Sequence, residues 1–175
     1  PWYRPTRVNH GVSGGENGWR ATSKKWRKYY PDTVGSVVDI GPGSPTGVIA
    51  GTNAKFPTRY RDAIFLCDWT FATMYAMHLK PDGSSYKGKI DTFVTNTNGS
   101  LALTDVDIGP DGHMYFCVGG RKGQSYLYRV RYVGNESTEL SPLDTSSEHF
   151  QARKTRHMLE SFHGCLLYTS PSPRD

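Results

Sequence analysis

The chain has 175 residues, of which 36% are hydrophobic and 13% aromatic, with 19 Gly and 11 Pro; this is one domain's worth of chain, too apolar in its patterning to stay disordered. Its formal charge of +5 is spread over Arg4, Arg7, Lys24, Lys25, Arg27, Lys28 and a helical stretch near the end, and so describes a solvated face. Nucleic acid is excluded as an expected partner, because only Lys24 to Tyr30 approaches the combination of clustered basic residues and stacking aromatics that such a surface needs.

In chain order, the first clear strand is TGVIAG (Thr46 to Gly51), then AIFLCDW (Ala63 to Trp69) and TMYAMHL (Thr73 to Leu79), with a further strand expected over Tyr86 to Val94. The pattern then recurs. TDVDIG (Thr104 to Gly109), HMYFCVG (His113 to Gly119) and YLYRVRY (Tyr126 to Tyr132) repeat the three, roughly fifty residues on. Each copy has an apolar run ending in Cys, a polar or Gly-rich turn, and a strand carrying Tyr75 or Tyr128. Pro110, Asp111 and Gly112 are a reverse-turn signal, which predicts an antiparallel hairpin between Val106–Ile108 and Met114–Val118. The alternation of Leu127, Arg129 and Arg131 with Tyr128, Val130 and Tyr132 predicts a strand packed on one face. Three or four strands per copy at this period suit four-stranded propeller blades that bury their faces on one another, with a β-sandwich as the alternative.

After Gly134 a polar linker, residues 135–145, leads into a helix expected over 146–164, with Thr145 and Glu148 at capping-box spacing and Gly164 as C-cap. Phe150, Met158, Leu159 and Phe162 can share its apolar face, while Arg153, Lys154, Arg156 and His157 read as its solvated one. Cys67 and Cys117 sit in apolar runs and are expected to be buried free thiols, with no second Cys or His at zinc spacing. No run approaches the ~18 apolar residues of a membrane span. The segment CLLYTSPSPRD (Cys165 to Asp175) resembles a translated sequencing adapter and is set aside from fold reasoning, which also removes the third cysteine.

The segment VNHGVSGGENGWR (Val8 to Arg20), with Val8-Asn9, Gly14-Gly15 and Gly18-Trp19, resembles a loop of the glucose/sorbosone dehydrogenase family of quinoproteins. Glu16-Asn17 and Arg20 depart from that family's usual residues. GPGSPTGV (Gly41 to Val48), FPTRYRDAIFLCDW and TDVDIGPDGHMYF also fit, so the resemblance covers Val8 to Gly134; it looks closest to large multidomain planctomycete-type dehydrogenase-like proteins whose propeller precedes helical repeats and a c-type haem domain. The expected architecture is therefore all-β: a partial propeller of about two four-stranded blades out of six over 1–134, followed by the start of an α-helical domain.

The resemblance implies a periplasmic or secreted enzyme that oxidises a sugar or other alcohol with pyrroloquinoline quinone (PQQ) and calcium and passes electrons to a cytochrome. It places the catalytic His in a blade outside this sequence, and haem c in a further C-terminal part. A propeller that has lost its chemistry and binds carbohydrate or protein is the alternative, and a lactonase-type hydrolase a third class. Blade topology sends the loops before the innermost strands, and those between the middle pair, to one mouth of the channel. Ser44, Thr46, Thr104 and Asp105 stand at the inner strands, Asp68 and Trp69 at one middle turn, and Arg121 and Lys122 at the next. A cation there can bind a quinone carboxylate and an indole can stack on a ring. Asn9 and Trp19 are candidates from the loop that resembles the family's. Asp68, Asp105 and Asp107 lack the close spacing of a calcium loop.

Overall fold

Turn chemistry sets the architecture, which comes from a computed structural model describing residues 5–17, 33–97, 101–120 and 123–163. Among the described residues nine strands form three sheets: β1 (Pro5–Asn9) with β2 (Ser36–Pro42); β3 (Pro45–Ala50), β4 (Ala63–Asp68), β5 (Thr73–Asp82) and β6 (Ser85–Thr95); and β7 (Leu103–Ile108), β8 (Met114–Val118) and β9 (Tyr126–Val130). In the last two, spatial order equals chain order. Gly83, at φ +57°, makes the tight β5–β6 turn. The β7–β8 turn is closed by Gly109 N donating to His113 O and Gly112 N to Gly109 O, both 2.8 Å.

The expected repeat holds in the pairing register. Val48 pairs with Leu66 and Val106 with Phe116; Cys67 pairs with Met74 and Cys117 with Leu127. Even the irregularity recurs, since both inner strands shift register near their start, between Pro45 and Val48 and between Leu103 and Asp105. These two sheets are the blades.

The chain divides into two compact units. The first (Pro1–Val8, Val38–Lys80, Gly88–Pro142) holds both blades except for the end of β5 and the start of β6. Because side chains alternate across a strand, Ala63, Phe65 and Cys67 of β4 share one face with Met74 and Ala76 of β5. That face meets Leu103, Val106, Met114, Phe116 and Val118 of the second blade in one buried core. The aromatics Phe56, Tyr60 and Phe93 close around Phe65, with Phe93 at 4.7 Å. On β9 the expected one-sided packing is only partial: residues 126–129 are all exposed, Tyr128 at 41% although its ring stacks on Phe116 at 5.1 Å, whereas Val130 and, beyond the strand, Tyr132 pack against the core. Part of the polar stretch after Gly134 runs along the short helix α1 (Thr58–Arg61), where Thr58 N donates to Ser137 O.

The second unit (Asn9–Val37, Pro81–Lys87, Leu143–Asp175) is organised by helix α2 (Glu148–Glu160). Its N-cap is Ser147, whose hydroxyl accepts from Phe150 N at 3.2 Å, so the expected Thr145 cap is corrected by two residues. The expected faces are also corrected. Met158, Leu159 and Phe162 are exposed, whereas Arg153 is buried with its guanidinium 5.3 Å over the Tyr86 ring, and Arg156 donates to Ser84 O and Glu160; Lys154 and His157 are exposed and Phe150 is partly buried, as expected. Arginine stems and planes can pack as apolar groups do, provided the head finds an acceptor or ring. Gly164 lies outside the described residues. Cys117 is a further correction: unlike Cys67 it is exposed, because its face of the second blade is uncovered.

Candidate functional site

The site expected at the channel mouth is built where the β4–β5 turn folds back onto the entrance to β3. Asp68 ends β4 with its side chain buried, and its two carboxylate oxygens accept from Ser44 N (3.1 Å) and Phe71 N (2.8 Å). Trp69 N donates to Ser44 O and Thr70 Oγ1 to Ser44 Oγ. Gly43 is required here, since a Cβ would lie 1.9 Å from Asp68 Oδ2. The turn also holds Ala72 at φ +53°, a left-handed conformation that a residue with a Cβ adopts only under constraint. Ser44 and Asp68 are thus the frame of the site rather than its contact surface. Burial and then the Asp68 carboxylate push the Tyr75 phenol up from its ordinary range.

What this frame presents outward is aromatic. The Trp69 indole donates Nε1–H to Gly119 O of the next blade at 3.1 Å, which fixes the ring across the gap between the two middle turns, and it remains 43% exposed. Phe71 is 52% exposed beside it in sequence. Below them the inner strands approach closely: Thr46 Oγ1 donates to Leu103 O at 2.9 Å, and a Cβ on Gly47 would lie 3.0 Å from Asp105 Cα. The Asp105 carboxylate accepts from Val106 N, and after burial it is the next cause pushing the Cys67 thiol up to about 11. Thr104 donates to Cys117 O and lines an open groove of about 520 Å³ with Cys117, Gly119, Ser125, Tyr126 and Leu127.

Ser44, Thr46, Asp68, Trp69, Thr104 and Asp105 therefore belong to one end of the paired blades. Asn9 is exposed at the end of β1 and belongs to the second unit. Trp19 and Arg121 lie outside the described residues. The sequence reading missed Phe71 and the Gly119 carbonyl. Gly119 occupies the position of Trp69 in the second copy, and aligning the turns as well as the strands would have brought it forward. Among the described residues no group of three or more His, Cys, Asp and Glu side chains is arranged to hold a metal ion. Asp107, like Asp105, is turned to a backbone amide, Ile108 N at 2.7 Å.

Successive antiparallel meanders stacked face to face, inner strand beside inner strand, define a β-propeller. Among solved structures the chain is similar to a protein of Thermus thermophilus assigned as an oxidoreductase (glucose dehydrogenase), at 18% identity and a TM-score of 0.55. The match covers 73% of this chain and 37% of that one, so the chain spans little more than a third of that protein's length. At this identity the likeness concerns the fold. No protein-family model matches the sequence, and no curated protein does.

Proposed function

We propose that this chain is part of a propeller dehydrogenase that oxidises a sugar or other alcohol, is periplasmic or secreted, and delivers electrons to a cytochrome. The observation that carries this reading is the join of a fold like that of the Thermus protein with a fixed, half-exposed indole at the β4–β5 turn. PQQ, when bound, supplies the two-electron acceptor. The contribution of this chain is to bind and orient: the open face of Trp69 offers an apolar plane to a ring, and the Asp68 frame holds that plane still.

Calcium and the base come from outside the described residues in this reading. His78, in the middle of β5 opposite Ala63, and His113, just before β8, stand away from the Asp68–Trp69 turn, one beside Asp91 and the other hydrogen-bonded to Asp111. A base must reach the substrate hydroxyl, and in this reading the catalytic histidine comes from another blade.

A second reading is favoured by the same mouth, which has exposed aromatics without a base or metal group among the described residues: a non-catalytic propeller that binds carbohydrate. The full-length protein, supplied with PQQ and calcium, separates the two. Dye reduction on a sugar panel is expected, and Trp69→Ala should raise KM about tenfold, the scale of a lost stacking contact, with a smaller change in kcat. No dye reduction on any sugar, with Trp69-dependent carbohydrate binding by calorimetry, would establish the binding reading instead.

A further inference from the structure

In the second unit, helix α2 is fastened by its polar side. His149, Arg153, Arg156 and Glu160 recur at three- and four-residue spacing and so share one face of the helix. The first three meet the tip of the β5–β6 hairpin: Gly83 N donates to His149 Nδ1 at 2.9 Å, the Arg153 guanidinium lies over the Tyr86 ring, and Arg156 Nε donates to Ser84 O at 2.9 Å. The fourth meets the loop after β1, where Ser13 N donates to Glu160 Oε1 at 3.2 Å and the Ser13 hydroxyl bonds to His163 Nδ1. That loop returns to the tip through His10, whose Nδ1 is 2.9 Å from Ser85 Oγ and whose ring stands edge-on to Tyr86. Met158, Leu159 and Phe162 give this contact no apolar seal, being exposed.

We infer that this contact is a pH-sensitive clasp: neutral His149 and His10 hold the tip, residues 83–86, on α2, and their protonation on acidification releases it. The chemistry is explicit at His149. An imidazole nitrogen that accepts an N–H carries no proton itself, so the Gly83 bond exists only with the ring proton on Nε2, and a doubly protonated ring has no acceptor to offer. Of the other charged groups at the tip, Asp82 and Lys87 pair with each other at 3.0 Å, Arg153 is taken up by Tyr86 and Glu148 is exposed; among the described residues none of them is bonded to His149. His10 acts through charge. Burial and then the Arg156 guanidinium push its pKa down, with His157 adding to them and Glu160 opposing. A lowered folded value means that the stabilisation is present above the unfolded value, ~6.5, and is lost as pH falls through the folded one. Glu160 does not share in this loss: the Arg156 bond, foremost, holds its carboxyl below the usual range, so mild acid leaves the loop's anchor charged. None of this depends on the reaction the propeller performs.

The test follows amide exchange in the full-length protein by mass spectrometry at about pH 7.5 and about pH 5, each rate taken relative to the intrinsic rate at that pH. Protection over residues 83–86 and across α2 should fall at least about tenfold at the lower pH, since linkage gives up to about tenfold per pH unit for each proton taken up on release. The core strands β4 and β8 should keep theirs. The double variant His10→Gln/His149→Gln, whose side-chain oxygens accept without titrating, should hold its protection within about twofold between the two conditions. If that pair does not fold, each single variant should show a smaller fall than the unaltered protein. The inference is overturned if protection at the tip and α2 is the same at both pH values, or if β4 and β8 lose theirs in step. It also fails if the glutamine variants lose as much protection as the unaltered protein.

Discussion

At Asp68 one buried carboxylate accepts from two backbone amides from different elements, Ser44 N before β3 and Phe71 N in the β4–β5 turn. Asp68→Ala leaves both donors without that acceptor and is expected to cost about 2–4 kcal/mol in urea unfolding, whereas Asp68→Asn, which keeps one acceptor oxygen, should cost less. A second carboxylate acts through pH. Asp111 accepts from His113 N, the Tyr115 hydroxyl and His113 Nδ1, and these bonds, the backbone one foremost, hold it well below the usual carboxylate range. A depressed folded value means that the stabilisation is present above the unfolded value, about pH 4, and is lost as pH falls through the folded one. Asp111→Asn should therefore flatten the acid limb of the urea-midpoint profile below about pH 4, relative to the unaltered protein.

At the scale of elements, the strands were legible and the helix was only half so. Strand pairs such as Val48–Leu66 and Val106–Phe116 could be read because apolar alternation, a Cys landmark and Gly-bounded turns recur together, and each signal constrains the others. The helix offered one signal at a time. Thr145 with Glu148 matched a capping spacing, yet Ser147 lies next to the first helical residue and its hydroxyl reaches Phe150 N. Nor does hydropathy show that Arg153 can sit over the Tyr86 ring while Leu159 faces water. The site was legible to the same degree: Asp68 and Trp69 were found from topology, but their division into frame and contact surface needed the bonds to Ser44 and Gly119. Ser147→Ala should lower the stability of α2 by about 1 kcal/mol, seen as faster amide exchange at Phe150 and in the first turn, while Thr145→Ala leaves that exchange unchanged.

At the scale of the whole molecule, the two blades are held by contact at their inner strands as much as by the shared core. Gly47 lets β3 and β7 come together: a Cβ there meets Asp105 Cα and Val106 N, each at 3.0 Å, and backbone has little room to yield. Gly47→Val is expected to cost about 1–3 kcal/mol through overpacking. It should also speed the reaction of Cys67 with maleimide, because the buried thiol, with its pKa pushed up to about 11, is reached when the blades part. A loss of stability without any gain in Cys67 labelling would place the strain within one blade rather than between two.

The equality of spatial and chain order in the blades has a further consequence, which concerns synthesis. Every strand of the first blade finds its partner within a short stretch of chain, so its sheet can close soon after it leaves the ribosome. Its covering face cannot close so early. Phe65, Cys67, Met74 and Ala76 must wait until Met114, Phe116 and Val118 have been made, a delay of roughly 2–8 s at 5–20 residues per second. For that interval the nascent chain displays a formed but unsheltered apolar sheet, and each added blade shelters the one before it while exposing its own.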